Sequence, residues 1–379
     1  MFNWLRDKRK SSAEASQAQP VPPPHDLEPV PTAAPLAEAE PAATAAPLVA
    51  AEPAPTPAAE DYRSKFRRYY FANEPVDLEA VGEYRADSFP KSGPLCWMDA
   101  PNALLEIERR LAAGELSESE AAMAEKWTLE GYYIASGLIE NELLDRVWGA
   151  YEKAIADGVM TPPPEPRGPE DVWPGRILDP HMTLPIVREI QQHPAVLRIC
   201  DILFGRKTLP FQTIIGHKGS WQPAHDDSIH MTSYPDGFLL ANWIAFEDIH
   251  PDSGPLVYYP RSHRLLPPLL SADLGFEAQG FKNDPSLYGR VYEPTIAKYV
   301  QKIDLKPEYF LAKKGDVLFW HAHLVHGGSA RKDLSLSRKA LVCHYFAEGA
   351  FCYHDLSGNA SRLHKNGVFA PPALDLRVA

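Results

Sequence analysis

Apolar residues recur at helical spacing between Asn141 and Gly158, where Leu143, Leu144, Val147, Trp148, Tyr151, Ala154 and Ile155 fall on one side, so a helix with one packed face is predicted there. Helices are also predicted over Ala103 to Ala112 and Ser117 to Lys126, both rich in Leu, Glu, Ala and Arg. Ser117 followed three residues later by Glu120 fits a capping box. A further helical pattern covers Pro185 to Phe204, and the aromatic run within Glu130 to Leu138 predicts a short strand. After Gly205 the pattern changes to short, aromatic and β-branched segments bounded by Gly, Pro, Asp and Ser. Strands are predicted at Gln212 to Gly216, Phe238 to Glu247, Pro255 to Tyr259, Asp316 to Trp320 and Lys339 to Phe346. Helices first and strands later imply an α+β, mainly β fold with helices packed on one side of a sandwich or barrel.

The first 60 residues break from this pattern. From Ser11 to Glu60 the chain is almost entirely Ala, Pro, Glu, Ser and Gln. Such a segment lacks the apolar surface to offset the entropy of ordering it and is expected to be a disordered tether. Residues 61–379 are then expected to form one domain, with a helical part over about 100–205 and an insertion at 271–307 that is either a lid or an outer helical decoration. The N-terminal stretch Met1 to Lys10 is read as a frayed start over a docking handle for a partner, and no apolar run is long enough for a membrane span. The Pro-rich stretch Pro162 to Gly175 reads as a functional rim.

A formal net charge of −12 gives the whole chain no electrostatic reason to bind nucleic acid or anionic lipid. Cys96, Cys200, Cys343 and Cys352 are far apart, with no CxxC pair, which points to a reducing, cytoplasmic compartment.

The chemistry concentrates at Gln222-Pro223-Ala224-His225-Asp226-Asp227. At a strand end, residues two apart point the same way, so His225 and Asp227 can reach one metal while Asp226 faces elsewhere. Two His and one carboxylate that leave positions open are the ligand set of mononuclear non-haem iron. A distal histidine is available after Asp316 to Trp320, where His321, His323 and His326 lead to Gly327-Gly328. His326, directly before the paired glycines, is chosen because an external ligand can approach the backbone there. Arg338 shares a strand face with Ala340 and Val342, which would leave a buried guanidinium in need of a carboxylate. The distal carboxylate of 2-oxoglutarate would supply it.

This order of residues resembles the phytanoyl-CoA dioxygenase superfamily, whose pattern is an HxD pair, a later His and an Arg about eleven residues beyond. The resemblance runs from about Trp127 to Tyr353, including Gly131-Tyr132-Tyr133-Ile134 near its start and the turn Pro255 to His263. It implies a double-stranded β-helix, or jelly roll, with iron(II) held by His225, Asp227 and His326, and 2-oxoglutarate and O2 as cosubstrates. It also implies cofactor contacts from Arg338, Gln212, Trp243 and Ser329. Here the gap from His326 to Arg338 is twelve residues, Gly328 stands where the family has Ser, with Ser329 next, and Arg261 stands where Gly is common. The activity implied is hydroxylation of an unactivated C–H bond of a small molecule, with release of succinate and CO2. Retention of Asp227 disfavours a halogenase, and Arg338 has no use in a cupin without 2-oxoglutarate. The competing class is an inactive relative that binds a ligand or partner. His321 and His323 are expected beside the centre without ligating; His217, His230, His250 and His263 are expected to be structural. Arg331 is placed in a polar loop, and His181 is a weaker candidate for the pocket wall.

Overall fold

Two helices, α1 (Ala103–Ala112) and α2 (Glu118–Glu130), lead into the folded part. The capping box at α2 forms as expected: Glu120 N–H donates to the Ser117 hydroxyl, and Ser117 N–H donates to the Glu120 carboxylate at 2.9 Å. Strand β1 (Tyr132–Ala135) follows, then α3 (Asn141–Ala156), which buries Leu144, Val147, Trp148, Tyr151 and Ala154. After β2 (Arg176–Leu178) and the single turn α4 (Pro180–Thr183), the pattern expected to be one helix over 185–204 divides into α5 (Val187–Gln191) and α6 (Pro194–Phe204). Pro194 explains the break. It has no N–H for a continuing helix but suits a first helical position.

The computed structural model describes residues 85–86, 95–166, 175–276, 284, 286–356 and 358–360. The expected tether and parts of the 162–175 rim and of the 271–307 insertion lie outside the described residues. No described helix is long and apolar enough to cross a membrane.

The remaining elements are β3 (Thr208–Gly216), β4 (Thr232–Tyr234), β5 (Leu239–Ala245), β6 (Leu256–Tyr258), the turn α7 (Ser262–Leu265), a π-helical turn (Tyr288–Tyr292), α8 (Glu293–Lys302), β7 (Glu308–Phe310), β8 (Val317–His321), β9 (His326–Gly328), β10 (Ala340–Ala347), β11 (Phe351–His354) and β12 (Asn359–Ala360). Six strands form one antiparallel sheet in the order β1-β8-β5-β10-β3-β2, and two three-stranded sheets are ordered β7-β6-β9 and β12-β11-β4. Every residue of β5 is buried, which is why that strand shows no polar alternation.

The two faces of the large sheet serve different ends. Leu240, Ile244, Val317, Phe319 and Leu341 pack with Leu144, Val147, Ile190 and Leu203 of the helices. Trp243, Leu318, Trp320 and Ala340 face the opposite way and pack with Leu256, Tyr258 and Phe310 of the β7-β6-β9 sheet. Arg261, at the position where Gly is common, adopts the left-handed φ of 70° that the turn requires, and its N–H is held by Glu130 O at 2.8 Å.

The described part of the 271–307 insertion packs behind the His225–Asp227 loop. Tyr288, Tyr292 and Ile296 cluster with Ile229 and Val325, and the Tyr292 hydroxyl accepts the Asp226 N–H at 3.0 Å. No described residue of the insertion lines the main pocket. Tyr292→Phe leaves a buried N–H without its acceptor and is expected to lower the stability measured by chemical denaturation by about 1–3 kcal/mol.

Candidate metal centre and pocket

Two segments far apart in sequence are joined where the ligands stand. His225 N–H donates to His326 O at 2.9 Å and His326 N–H to His225 O at 2.8 Å, an isolated antiparallel bridge from the His225 loop to the first residue of β9. Asp227 N–H donates to Ala322 O at 2.9 Å and Gly328 N–H to Gln222 O at 2.9 Å. The paired glycines therefore admit the chain itself where an external ligand was expected. A Cβ on Gly328 would lie 1.5 Å from Ser220 O.

Side-chain hydrogen bonds then fix the donors. His225 Nδ1 donates to Pro223 O at 2.8 Å and His326 Nδ1 to Leu324 O at 2.9 Å, because a carbonyl can only accept. Each ring thus turns its Nε2 lone pair toward the site. Gln222 Nε2 donates to His225 Nε2 at 2.9 Å. Asp227 Oδ1 lies 3.7 Å from His326 Nε2, while Oδ2 accepts the Trp320 indole N–H at 2.8 Å. All three side chains are buried, and one donor atom from each falls within 4.8 Å of the others. Two neutral nitrogens and one carboxylate oxygen so gathered fit an ion with open positions.

The electrostatics suit ligation. Burial, with His326 adding to it, pushes His225 down to about 3, so its ring is neutral. Burial alone would raise the Asp227 carboxyl, but His326, His344 and His225 hold it well below the usual carboxylate range, and it stays ionised. Asp226 faces the other way, as strand parity predicts: its carboxylate accepts the N–H and the hydroxyl of Ser228.

One pocket contains these ligands. Along β10 its wall is Ala340, Val342 and His344, with Arg338 just ahead of the strand; Gln212 of β3 and Trp243 of β5 join it. Arg338 is 6% exposed; its Nη1 donates to Gly254 O at 2.7 Å, and its Nε has no hydrogen-bond partner among the described residues. Burial, with Arg176 and Arg331 nearby, pushes its pKa down to about 9, the mark of a cation waiting for an anion. The structure does not bring Ser329 to the pocket, because its hydroxyl donates to Pro255 O at 2.7 Å; the hydroxyl near Arg338 is that of Ser220, at 3.5 Å. Arg331 donates to Gly219 O and His181 pairs with Thr213 Oγ1 at 2.6 Å, and neither lines the pocket. His230, expected to be structural, does line it, with its ring tilted at 43° against Tyr288, centroids 4.7 Å apart.

Arg176 was not legible in the sequence, since it lies in no periodic segment, and Gln222 was seen only as the start of the His225 cluster, without a role. Arg176 reaches the pocket across Gly216, where a Cβ would meet its Cγ at 3.5 Å, and its Nη1 donates to Gln222 Oε1 at 3.1 Å.

Behind the ligands, His321 Nε2 lies 3.2 Å from Asp99 Oδ2 and its Nδ1 accepts the His323 N–H at 3.0 Å. His323 Nε2 meets the Asp236 carboxylate at 2.9 Å, and its Nδ1 meets the Ser228 hydroxyl at 3.1 Å, whose own proton goes to Asp226. Both ring nitrogens therefore donate, and His323 is an imidazolium. Burial opposes that charge, but Asp236, Asp226 and Asp99 lift its pKa to about 9. A folded pKa above the unfolded value of about 6.5 gives stability that is full below that value and is lost as pH rises through about 9. Thermal unfolding followed from pH 7 to pH 10 should show the wild type losing more stability than His323→Gln; parallel curves would remove His323 from this role.

Residues 134–340, more than half of the 379-residue chain, match the family model of phytanoyl-CoA dioxygenase (PhyH). Peroxisomal phytanoyl-CoA dioxygenase of Bos taurus is 26% identical over 174 residues, covering 44% of this chain and 48% of that protein. The Homo sapiens enzyme is 26% identical over 179 residues, covering 44% and 47%. The chain spans about half the length of the curated relatives it matches. A solved structure of the epimerase SnoN in complex with Fe3+, alpha ketoglutarate and nogalamycin RO has a TM-score of 0.48 at 18% identity, covering 67% of this chain and 93% of that one. The matched range contains His225, Asp227, His326 and Arg338, and the chain belongs to the phytanoyl-CoA dioxygenase family.

Proposed function

We propose that this chain is an Fe(II)- and 2-oxoglutarate-dependent dioxygenase that hydroxylates an unactivated C–H bond of a small-molecule substrate. The observation that carries this reading is one pocket holding both a converging His225, Asp227 and His326 and a buried Arg338 guanidinium. Iron(II), 2-oxoglutarate and O2 are the cofactor and cosubstrates of the family. Bound iron would let O2 oxidise 2-oxoglutarate to succinate and CO2, with the second oxygen atom delivered to the substrate.

The chain's own tasks follow from its residues. His225, Asp227 and His326 would hold the metal on one side and leave the pocket side open. Arg338 takes the distal carboxylate of 2-oxoglutarate, and the partner it gains offsets the cost of its burial. Arg176 adds positive charge at the same end and donates to the Gln222 amide oxygen; the Gln222 N–H that now meets His225 Nε2 would give up that lone pair to the metal. The indole ring of Trp243, its centroid 5.7 Å from the Arg338 guanidinium carbon, covers that end, while the Trp320 ring covers the end held by Asp227 and His326, and both exclude water. The large sheet and the β7-β6-β9 sheet, packed face to face around these residues, are read as the two halves of a double-stranded β-helix. A cytoplasmic setting rests on the four cysteines, all buried and free.

Anaerobic addition of iron(II) and 2-oxoglutarate should produce a weak visible charge-transfer band, and a metabolite screen should reveal substrates that drive succinate release. Arg338→Leu is expected to raise the 2-oxoglutarate concentration at half-saturation of that band by roughly 10-fold or more, the equivalent of one lost charge-assisted pair. Absence of the band in the wild type, together with no succinate from any substrate, would sink the enzyme reading.

A further inference from the structure

His225, His326 and the Trp320 indole account for three of the polar side chains around Asp227, but a fourth stands against it. His344 lies on β10, on the same face as Ala340 and Val342, and is 3% exposed. Its Nε2 is 3.6 Å from Asp227 Oδ2, the oxygen that already accepts the Trp320 N–H at 2.8 Å. The other oxygen, Oδ1, is the one near His326 Nε2. Asp227 therefore has a metal side and a protein side, and His344 is on the protein side.

Three features show that this placement is built. The pairing of β10 with β3 is irregular between Cys343 and Tyr345, where His344 sits, while its pairing with β5 continues without interruption. The residue opposite on β5 is Ala241, which is buried and leaves room for a ring. The imidazole also meets the Trp320 ring edge-on, with centroids 6.4 Å apart and planes at 87°. An apolar residue would fill this space equally well. It would remove the imidazole that stands 3.6 Å from Oδ2 and leave that oxygen to the Trp320 N–H, freer to rotate toward the metal.

Resting on the iron reading, we propose that His344 is a positioning residue of the metal centre: with Trp320 it holds Asp227 Oδ2, so that Oδ1 alone faces the ion. His344 is not itself a ligand, since it stands outside the group of donor atoms that converge within 4.8 Å. A carboxylate held through one oxygen occupies one coordination position. The positions left over are those a bidentate keto acid and O2 need. Partners of this kind behind a metal ligand typically contribute 10- to 100-fold in affinity.

The test uses the full chain stripped of metal, with Co(II) as the probe, and reads affinity by chelator competition and coordination by visible absorption. His344→Phe is expected to weaken Co(II) binding by about 10-fold or more and to alter the absorption bands as Asp227 turns its second oxygen to the metal. His344→Gln retains an N–H donor and is expected to restore most of the affinity, which a merely structural role would not predict. Far-UV circular dichroism checks folding; if His344→Phe does not fold, His344→Met removes the donor in its place. Unchanged affinity and bands in the apolar variant would overturn the proposal, as would a Gln variant no better than the apolar one. A spectrum showing loss of a nitrogen ligand would make His344 a ligand and overturn it too. If the wild type binds Co(II) no better than His225→Ala, the iron reading fails and takes the proposal with it. Tight wild-type binding with an indifferent His344→Phe defeats the positioning role alone.

Discussion

Everything at the site depends on the reciprocal backbone bridge between His225 and His326. Two such hydrogen bonds contribute about 1 kcal/mol each net, whereas closing a flexible loop of about 100 residues costs roughly 4 kcal/mol. The bridge is therefore held by what flanks it. His326 is also paired to Tyr258 across β9 and β6, and the Tyr258 hydroxyl donates to Glu308 of β7 at 2.9 Å. On the other side, Gly328 lies flat against Ser220 and Gln222, a contact only a residue without a side chain permits. The glycine pair, the short β9 strand and the β7-β6-β9 sheet are consequences of the same need.

What was legible in the sequence is what repeats locally. The buried face of α3, the capping box of α2 and the five main strands each carry a period or a cap within one segment. The parity argument that separated Asp227 from Asp226 also needs only three consecutive residues. Strands β2, β4, β7, β9, β11 and β12 have four residues or fewer and are defined by distant partners, so they left no periodic signal, whereas β1 and β6, just as short, lie in apolar, aromatic runs. The division of the 185–204 helix turns on a single residue, Pro194, within an otherwise continuous apolar pattern.

The pocket was half legible for a related reason. Arg338 was found because alternation along β10 places it beside Ala340 and Val342. Arg176 enters from β2 and depends on a side-chain-free position in a neighbouring strand, Gly216, a relation that spacing along the chain does not encode. Ser329 was drawn in by counting residues, but the chain uses its hydroxyl to hold Pro255 O and leaves the neighbourhood of Arg338 to Ser220.

Adjacent carboxylates in one loop carry opposite demands, and the fold meets both. Burial raises the Asp226 carboxyl, while the histidines around Asp227 overcome the same burial and lower it. Asp226 belongs to a network with Ser228, His323 and Asp236, and Tyr292 of the insertion holds its N–H from the same side. None of Asp226, Ser228, His323, Asp236 and Tyr292 lines the pocket. His225, Asp227 and His326 are thus braced from behind by groups that stand outside the pocket. Side chains on the pocket wall can change without loosening that brace, so the residues of the candidate centre carry little information about which ligand the pocket takes.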